Sequence, residues 1–318
     1  MNLTKKWIRK IVRSSKFKAL LNRLGSPGRL DHKADAKTLG KGSDFVERYR
    51  EIISDPLNLA IARVPNAGYL DHDDCVILHN GIAVPVSGDL AYYQEFSDIL
   101  LINRGVHEPL EEFCFQQLLK KTPKAEGEIV MIELGAYWGH YSMWMKQRNP
   151  AARVILVEPD KHNIKVGRNN FRLNKMQGEF INEFVAADKF TVDGFVEKAG
   201  LAQIHVLHSD IQGFELDMLQ NCRKALSDKR IDHVFVSTHS RDLHMGCLDE
   251  LQKHGYGVEV SSEPDAHSTS FDGFILATSP NVEKIFGAFS PMGRVEIAKA
   301  SVQELMTYLK DVERVLNA

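Results

Sequence analysis

Several shortages in this sequence close whole classes of explanation. Its 318 residues include four cysteines, Cys75, Cys114, Cys222 and Cys247, far apart and with no CxxC pair. That spacing supports neither a secreted disulfide framework nor a structural zinc site, and a reducing, cytoplasmic setting is expected. No apolar run reaches the roughly 18 to 20 residues that a membrane-crossing helix needs, and the first residues lack the apolar core and cleavage site of a signal peptide. Internal repeats and low-complexity tracts are missing, as is the GxGxxG dinucleotide fingerprint. What remains, 43 % hydrophobic and 26 % charged residues, is enough to fold around a core as one large or two small domains.

Acid is also missing, but locally. Residues 1–30 carry nine Lys/Arg and no Asp or Glu, which leaves 31 basic against 42 acidic residues in the rest of the chain. Trp7, Ile8, Ile11, Val12, Leu20, Leu21 and Leu24 recur at helical spacing among these cations, and Gly25-Ser26-Pro27-Gly28 closes the segment. The pattern reads as a basic amphipathic helix. Such a helix can lie peripherally on an anionic membrane, each cation contributing about 1 kcal/mol, or it can dock on the chain's own acidic body. A transit peptide or a nucleic-acid contact shares the basic, acid-poor character, but no nucleic-acid partner is expected.

Residues 31–120 read as an elaboration. Ser43 and Asp44 suit the N-cap of a helix reaching residue 53, and His79-Asn80-Gly81 between the apolar runs 76–78 and 82–86 signals a β-hairpin. Asp71, His72, Asp73 and Asp74 read as a solvated turn, with no metal set to match them. A helix is expected over 108–119. From 121 to 280 apolar runs at 129–134, 154–157, 180–186, 204–207, 234–236, 256–260 and 274–277 alternate with helical stretches at 141–147, 162–173, 215–226 and 243–253. Such alternation predicts an α/β fold, a seven-stranded, mostly parallel sheet with helices on both faces. Residues 281–318 end in a helix over 302–316 whose apolar positions would cap the domain or pair with a second copy as a homodimer.

Chemistry should gather at the strand tips. Glu133-Leu134-Gly135-Ala136-Tyr137-Trp138-Gly139 follows the first strand of the sheet, and its glycines permit a tight turn and close approach to a ligand at a helix N-terminus. Glu158, in Val157-Glu158-Pro159, stands at the tip of the next strand, where an acid can bind both hydroxyls of a ribose. Asp210 and His239 end later strands and should face the same crevice, His239 as general base and Asp210 as its orienter or as a substrate or cation contact. Asp210 equally suits a helix N-cap, and a lone His239 can simply satisfy loop backbone. His205 and His208, three apart on a strand, face opposite sides and cannot share a metal; no metal is expected.

Taken in order, these segments resemble the FkbM family of S-adenosylmethionine-dependent methyltransferases. Glu133-Leu134-Gly135-Ala136-x-x-Gly139 is similar to its DxGAxxG loop, Val157-Glu158-Pro159 to its FEP, Thr191-Val192-Asp193 to its TLD and Asp210-Ile211-Gln212-Gly213-Phe214-Glu215 to its DVEGxE. His107-Glu108-Pro109 is similar to its YEP. Glu133 stands for the usual Asp, His208 for Lys and Gln212 for Glu. The resemblance implies a Rossmann-like class I methyltransferase domain with S-adenosylmethionine as cofactor. Glu133, Gly135, Ala136, Tyr137 and Gly139 would lie at the methionine tail, Glu158 and Pro159 at the ribose, and the segment 184–188, including Ala187, at the adenine. Tyr137, Trp138 or Tyr141 would face the sulfonium or pack in the core. The implied reaction is O-methylation of a small-molecule or glycan acceptor, a hydroxyl of a sugar, glycolipid or secondary metabolite. The alternative, suggested by His208 and Gln212, is a catalytically inactive nucleoside-binding adaptor recruited to membranes.

Overall fold

The alternating apolar runs and helical stretches assemble, in the computed structural model, into one seven-stranded sheet of order β5-β4-β3-β6-β7-β9-β8. Its strands are β3 (Val130–Leu134), β4 (Arg153–Val157), β5 (Glu179–Ile181), β6 (Ile204–Ser209), β7 (Ile231–Thr238), β8 (Gly257–Ser262) and β9 (Gly273–Thr278). β3 to β7 pair in parallel, and β9 runs antiparallel to both β7 and β8. This is the mostly parallel sheet expected of a class I methyltransferase. The order reverses between β3 and β6, so the crevice beyond their carboxyl ends is the topological switch point where ligands bind in open α/β sheets.

The structure describes residues 43–71, 74–92, 96–124, 129–287 and 289–317. The basic segment 1–30, with His72 and Asp73 of the acidic cluster, lies outside the described residues. Two compact units are present: Ala62–His107, and Val46–Ile61 with Glu108–Ala318. In the first, β1 (Cys75–Ile77) and β2 (Ala83–Pro85) form the expected hairpin around Asn80-Gly81, with Val76 opposite Val84. Gly81 takes φ +91°, the left-handed conformation that makes Asn-Gly the favoured turn pair. Asp71 accepts the Cys75 N–H at 3.0 Å, as a turn residue should.

The second unit carries the sheet, with α3 (Pro109–Lys121) and α4 (His140–Arg148) against one face. Leu134, Ile155, Val157, Leu207, Val234, Val236 and Ile275 form the core on the other, under α6 (Val192–Ala199), α7 (Glu215–Gln220), α8 (Arg223–Ser227) and α9 (Arg241–Lys253). Burial on both faces is why these strands read as continuous apolar runs.

Two expected elements differ. The strand over 180–186 stops at Ile181, because the Asn182 amide donates to the carbonyls of Glu158 and Pro159 at 2.9 and 2.8 Å and draws the chain out of the ladder. The helix over 215–226 breaks into α7 and α8 at Asn221 and Cys222, where Asp193 of α6 caps the second piece by accepting from the N–H groups of Lys224 and Ala225. The last helix, Val302–Leu316, buries Tyr308 and Val312 and leaves Val302 and Met306 exposed.

Candidate active site

Beyond β3 the chain turns through Gly135 and Gly139, at φ +70° and +73°. Glycine is needed there before any ligand is considered, since a Cβ on Gly135 would stand 1.7 Å from the Asp210 carbonyl oxygen and one on Gly139 would stand 2.9 Å from the Phe171 ring. The Asp210 N–H in turn donates to the Leu134 carbonyl at 3.0 Å. The tips of β3 and β6 are thus locked together through backbone.

Two carboxylates finish the loop. Glu133 is buried, and its Oε2 accepts the Ser142 N–H at 3.0 Å in the first turn of α4, where the helix end favours negative charge. Burial raises its pKa despite the nearby His208. Glu158, 5 % exposed, accepts the Tyr137 N–H at 3.1 Å through Oε2, and the Asp160 N–H at 3.0 Å and the Asn163 amide at 3.3 Å through Oε1. Burial raises its pKa as well.

Glu133, Gly135, Ala136, Tyr137, Gly139 and Glu158 therefore form one cradle, and exposed Pro159 lies at its edge. Ala187 lies in the exposed turn after β5, where Lys189 N–H meets the Ala186 carbonyl. Beside that turn Phe184 meets Phe214 edge to face at 4.9 Å. Trp138 and Tyr141 are core residues: Trp138 stacks on His140 at 4.8 Å, and the Tyr141 ring lies 4.3 Å from His208. Tyr137 is the half-buried member of the three. A nucleoside would find here a strand-tip carboxylate whose Oε2 accepts a single donor, a half-buried tyrosine and an aromatic edge.

Across the switch point, Asp210 and His239 meet as expected, with His239 Nε2 3.2 Å from Asp210 Oδ1. Two further acids join them. Glu215 Oε1 lies 3.2 Å from His239 Nδ1, and Asp272 Oδ1 lies 3.6 Å from Nε2. Glu215, fully buried, also accepts the N–H groups of Ile211 and Gly213 at 2.9 and 3.1 Å, so it closes the turn that Asp210 was equally suited to cap. Burial works against a charge on His239, yet its contacts with Asp210 and Glu215 and the nearby Asp272 raise its pKa to about 10. Burial and the Asp210 charge push Asp272 up to about 6. Asp210 itself is lowered, because its contact with His239 outweighs burial.

A third group lies under the same tips. Register places Glu133 beside His208 and His208 beside Phe235, and in-register neighbours share a face. Ser237, two residues on, shares it too. Glu111 of α3 points onto this face: one oxygen pairs with His208 Nε2 and the other accepts the Ser237 hydroxyl at 2.9 Å. Burial disfavours the His208 cation, but Glu111 outweighs it and raises the pKa. Glu108, the N-cap residue of α3, accepts the Tyr141 hydroxyl at 3.2 Å. His205 lies apart, its Nδ1 accepting the Val130 N–H at 3.0 Å. Sequence reasoning missed Glu111, Glu215 and Asp272. Of these, Glu215 carried a signal, as the last residue of the quoted motif; Glu111 lies within the helix expected over 108–119 with nothing to single it out, and Asp272 stands in no motif.

Residues 178–258 match the family model described as the methyltransferase FkbM domain. This span holds Asp210, Glu215 and His239; the glycine loop and Glu158 precede it. No curated protein matches the chain. Among solved structures the chain is similar to the precorrin-6y C5,15-methyltransferase of Geobacter metallireducens, at 15 % identity over 54 % of this chain and 87 % of that one, with a TM-score of 0.39. It is similar also to TrmK of M. capricolum in complex with S-adenosyl-homocysteine, at 12 % identity over 64 % and 86 %, with a TM-score of 0.38. A third is Aeropyrum pernix fibrillarin in complex with natively bound S-adenosyl-L-methionine, at 18 % identity over 52 % and 76 %, with a TM-score of 0.35.

Proposed function

We propose that this FkbM-domain methyltransferase carries a methyl group from S-adenosylmethionine to a hydroxyl oxygen of a sugar, glycolipid or secondary metabolite. The observation that carries the reading is a juxtaposition at the switch point. A buried carboxylate suited to ribose, Glu158, caps one side, and the Asp210–His239 pair stands on the other, joined by the contact of Gly135 with the Asp210 backbone.

The residues present fit the cofactor. Glu158 would accept from the ribose hydroxyls, the backbone of 135–139 and the first turn of α4 would hold the methionine carboxylate, and Ala187 with Phe184 and Phe214 would border the adenine. Glu133 holds α4 against the strand, so its work is to position that helix end. When bound, the cofactor supplies a methyl group made electrophilic by a sulfonium. Acceptor chemistry falls to the other side. Asp210 orients His239, and His239 is the strand-tip group that could take a hydroxyl proton once it has released the one its carboxylate neighbours hold on it. The basic segment 1–30 would bring the enzyme to a membrane-presented acceptor, and its deletion should then abolish binding to anionic vesicles. Among the described residues no helix is long and apolar enough to cross a membrane.

Calorimetric titration of S-adenosylhomocysteine, with NAD as control, tests the cofactor site. Wild type should bind in the micromolar range and Glu158→Ala should weaken binding at least about tenfold, the loss of a charge-assisted pair of hydrogen bonds. No binding by wild type, or equal binding by the variant, would refute the assignment.

A further inference from the structure

We propose that the crevice beyond β6 and β7 is a divalent-cation site, with His239 Nε2, Asp210 and Asp272 as ligands and Glu215 fixing the imidazole from behind. Its purpose rests on the methyltransferase reading; its ligand set does not.

The distances are those of ligands around a shared ion. Donor atoms about 2.1 Å from one centre stand about 3.0 Å apart in an octahedron and about 3.4 Å apart in a tetrahedron. Asp210 Oδ1 and Asp272 Oδ1 lie 3.2 and 3.6 Å from His239 Nε2. An ordinary ion pair would instead aim the ring N–H at an oxygen. Both His239 nitrogens are shut off from water, and neither has an aligned hydrogen bond, although a carboxylate stands near each. A cation beside Nε2 would take the place of that missing hydrogen bond, and Asp210, Glu215 and His239 each offer one ligand atom within 4.8 Å of the others.

The surroundings hold the ligands in place. Glu215 is fully buried and anchored on the backbone of Ile211 and Gly213, and it faces His239 Nδ1. A negative charge 3.2 Å from Nδ1 favours the proton on that nitrogen, which leaves the Nε2 lone pair for a metal, as in carboxylate–histidine–metal arrangements. Gln212, which cannot replace a carboxylate ligand, donates its amide to Asp210 Oδ1 at 2.9 Å and fixes that side chain. Charge agrees: Asp210, Glu215 and Asp272 all stand within 3.6 Å of one imidazole, and Arg48, the cation whose charge reaches Asp272, is outnumbered.

One imidazole and two carboxylates suit Mn2+ or Mg2+, and three protein ligands leave positions open for an oxygen donor. A hydroxyl occupying one of them would have its pKa lowered and would release its proton to solvent, so that with the cation bound His239 is a ligand and not the base, and it acts as base only in the metal-free crevice.

The test is titration of the full-length protein with Mn2+, read by loss of the free-ion electron paramagnetic resonance signal, with circular dichroism as a check on folding. Wild type should show one site. Asp272→Asn and His239→Ala should each weaken it at least about tenfold, and Glu215→Gln about tenfold through the orientation of the ring. Asp272→Asn is nearly isosteric, so it serves if His239→Ala does not fold. Absence of Mn2+ binding at millimolar concentration, with and without S-adenosylhomocysteine, overturns the proposal, as does a folded Asp272→Asn that binds like wild type. Mn2+ binding lost in the variants, in a protein that never binds S-adenosylhomocysteine, would uphold the cation site while the methyltransferase reading falls.

Discussion

Replacing Gly135 with alanine tests whether the two halves of the site are one mechanical unit. The backbone at φ +70° costs an alanine about 1 kcal/mol. Far more comes from space: the new Cβ would start 1.7 Å from the Asp210 carbonyl oxygen, and both groups are backbone, with no rotamer to relieve the overlap. Reaching ordinary contact requires a displacement of roughly 1.5 Å between the β3 loop and the β6 tip. Two backbone hydrogen bonds, Gly135 N–H to the Val157 carbonyl at 2.9 Å and Asp210 N–H to the Leu134 carbonyl at 3.0 Å, cannot survive it. Each costs about 1–3 kcal/mol if left unmade, so with the backbone cost the total is about 3–7 kcal/mol. At roughly 2–4 °C per kcal/mol for a unit of this size, the melting temperature should fall by about 6–28 °C, and S-adenosylhomocysteine binding should weaken with it. Gly200→Ala is the matched control, because φ is +62° there and nothing lies within 4 Å of its Cβ; it should lose only about 1 kcal/mol. Chemical denaturation of the two variants decides the matter. If Gly135→Ala costs no more than Gly200→Ala, the coupling of the loop to Asp210 is refuted.

Two other perturbations follow from buried charge. His208→Ala leaves the Glu111 carboxylate buried without its cation and should cost about 3–5 kcal/mol. Because the His208 pKa is raised in the fold, its contribution is complete below the ordinary imidazole value and is lost as pH rises through the raised one, so denaturation curves of wild type and variant should converge in alkali. Asp55, buried where it caps the turn Pro56–Leu59 and accepts the Thr269 hydroxyl at 2.5 Å, has its pKa raised by burial from 3.8 to about 6. A raised acid favours the fold below its unfolded value and loses that advantage as pH climbs through 6. Asp55→Asn should accordingly stabilise the protein by about 1–3 kcal/mol at pH 7 to 8 and by nothing near pH 4, and equal effects at both pH values would contradict the assignment.

How much of this could be read from residues alone depended on whether the cause was local. Strands β3, β4, β6, β7 and β9 were legible because each is covered on both faces and so is written as an unbroken apolar run. The extension of β5 through Phe184, Val185 and Ala186 was misread because those residues are apolar for another reason: they pack beside the strand tips once Asn182 has left the ladder. The break at Asn221 escaped notice because apolar spacing continues across it into α8, while the cap that starts α8 comes from Asp193, distant in sequence. The same division runs through the site. Gly135, Gly139 and Glu158 answer to turns and strand tips a few residues away, so motif and spacing exposed them. Glu111, Glu215 and Asp272 owe their importance to register and to meetings across the sheet: Glu133 beside His208, His208 beside Phe235, and the turn after β6 and the loop before β9 converging on His239. A carboxylate on α3 or before β9 looks like any solvated acid until the sheet order is known. That is why the glycine-loop end of the crevice, with Asp210 and His239 across it, could be sketched in advance, while the acids gathered around that pair emerged only from the packing of strands distant in the chain.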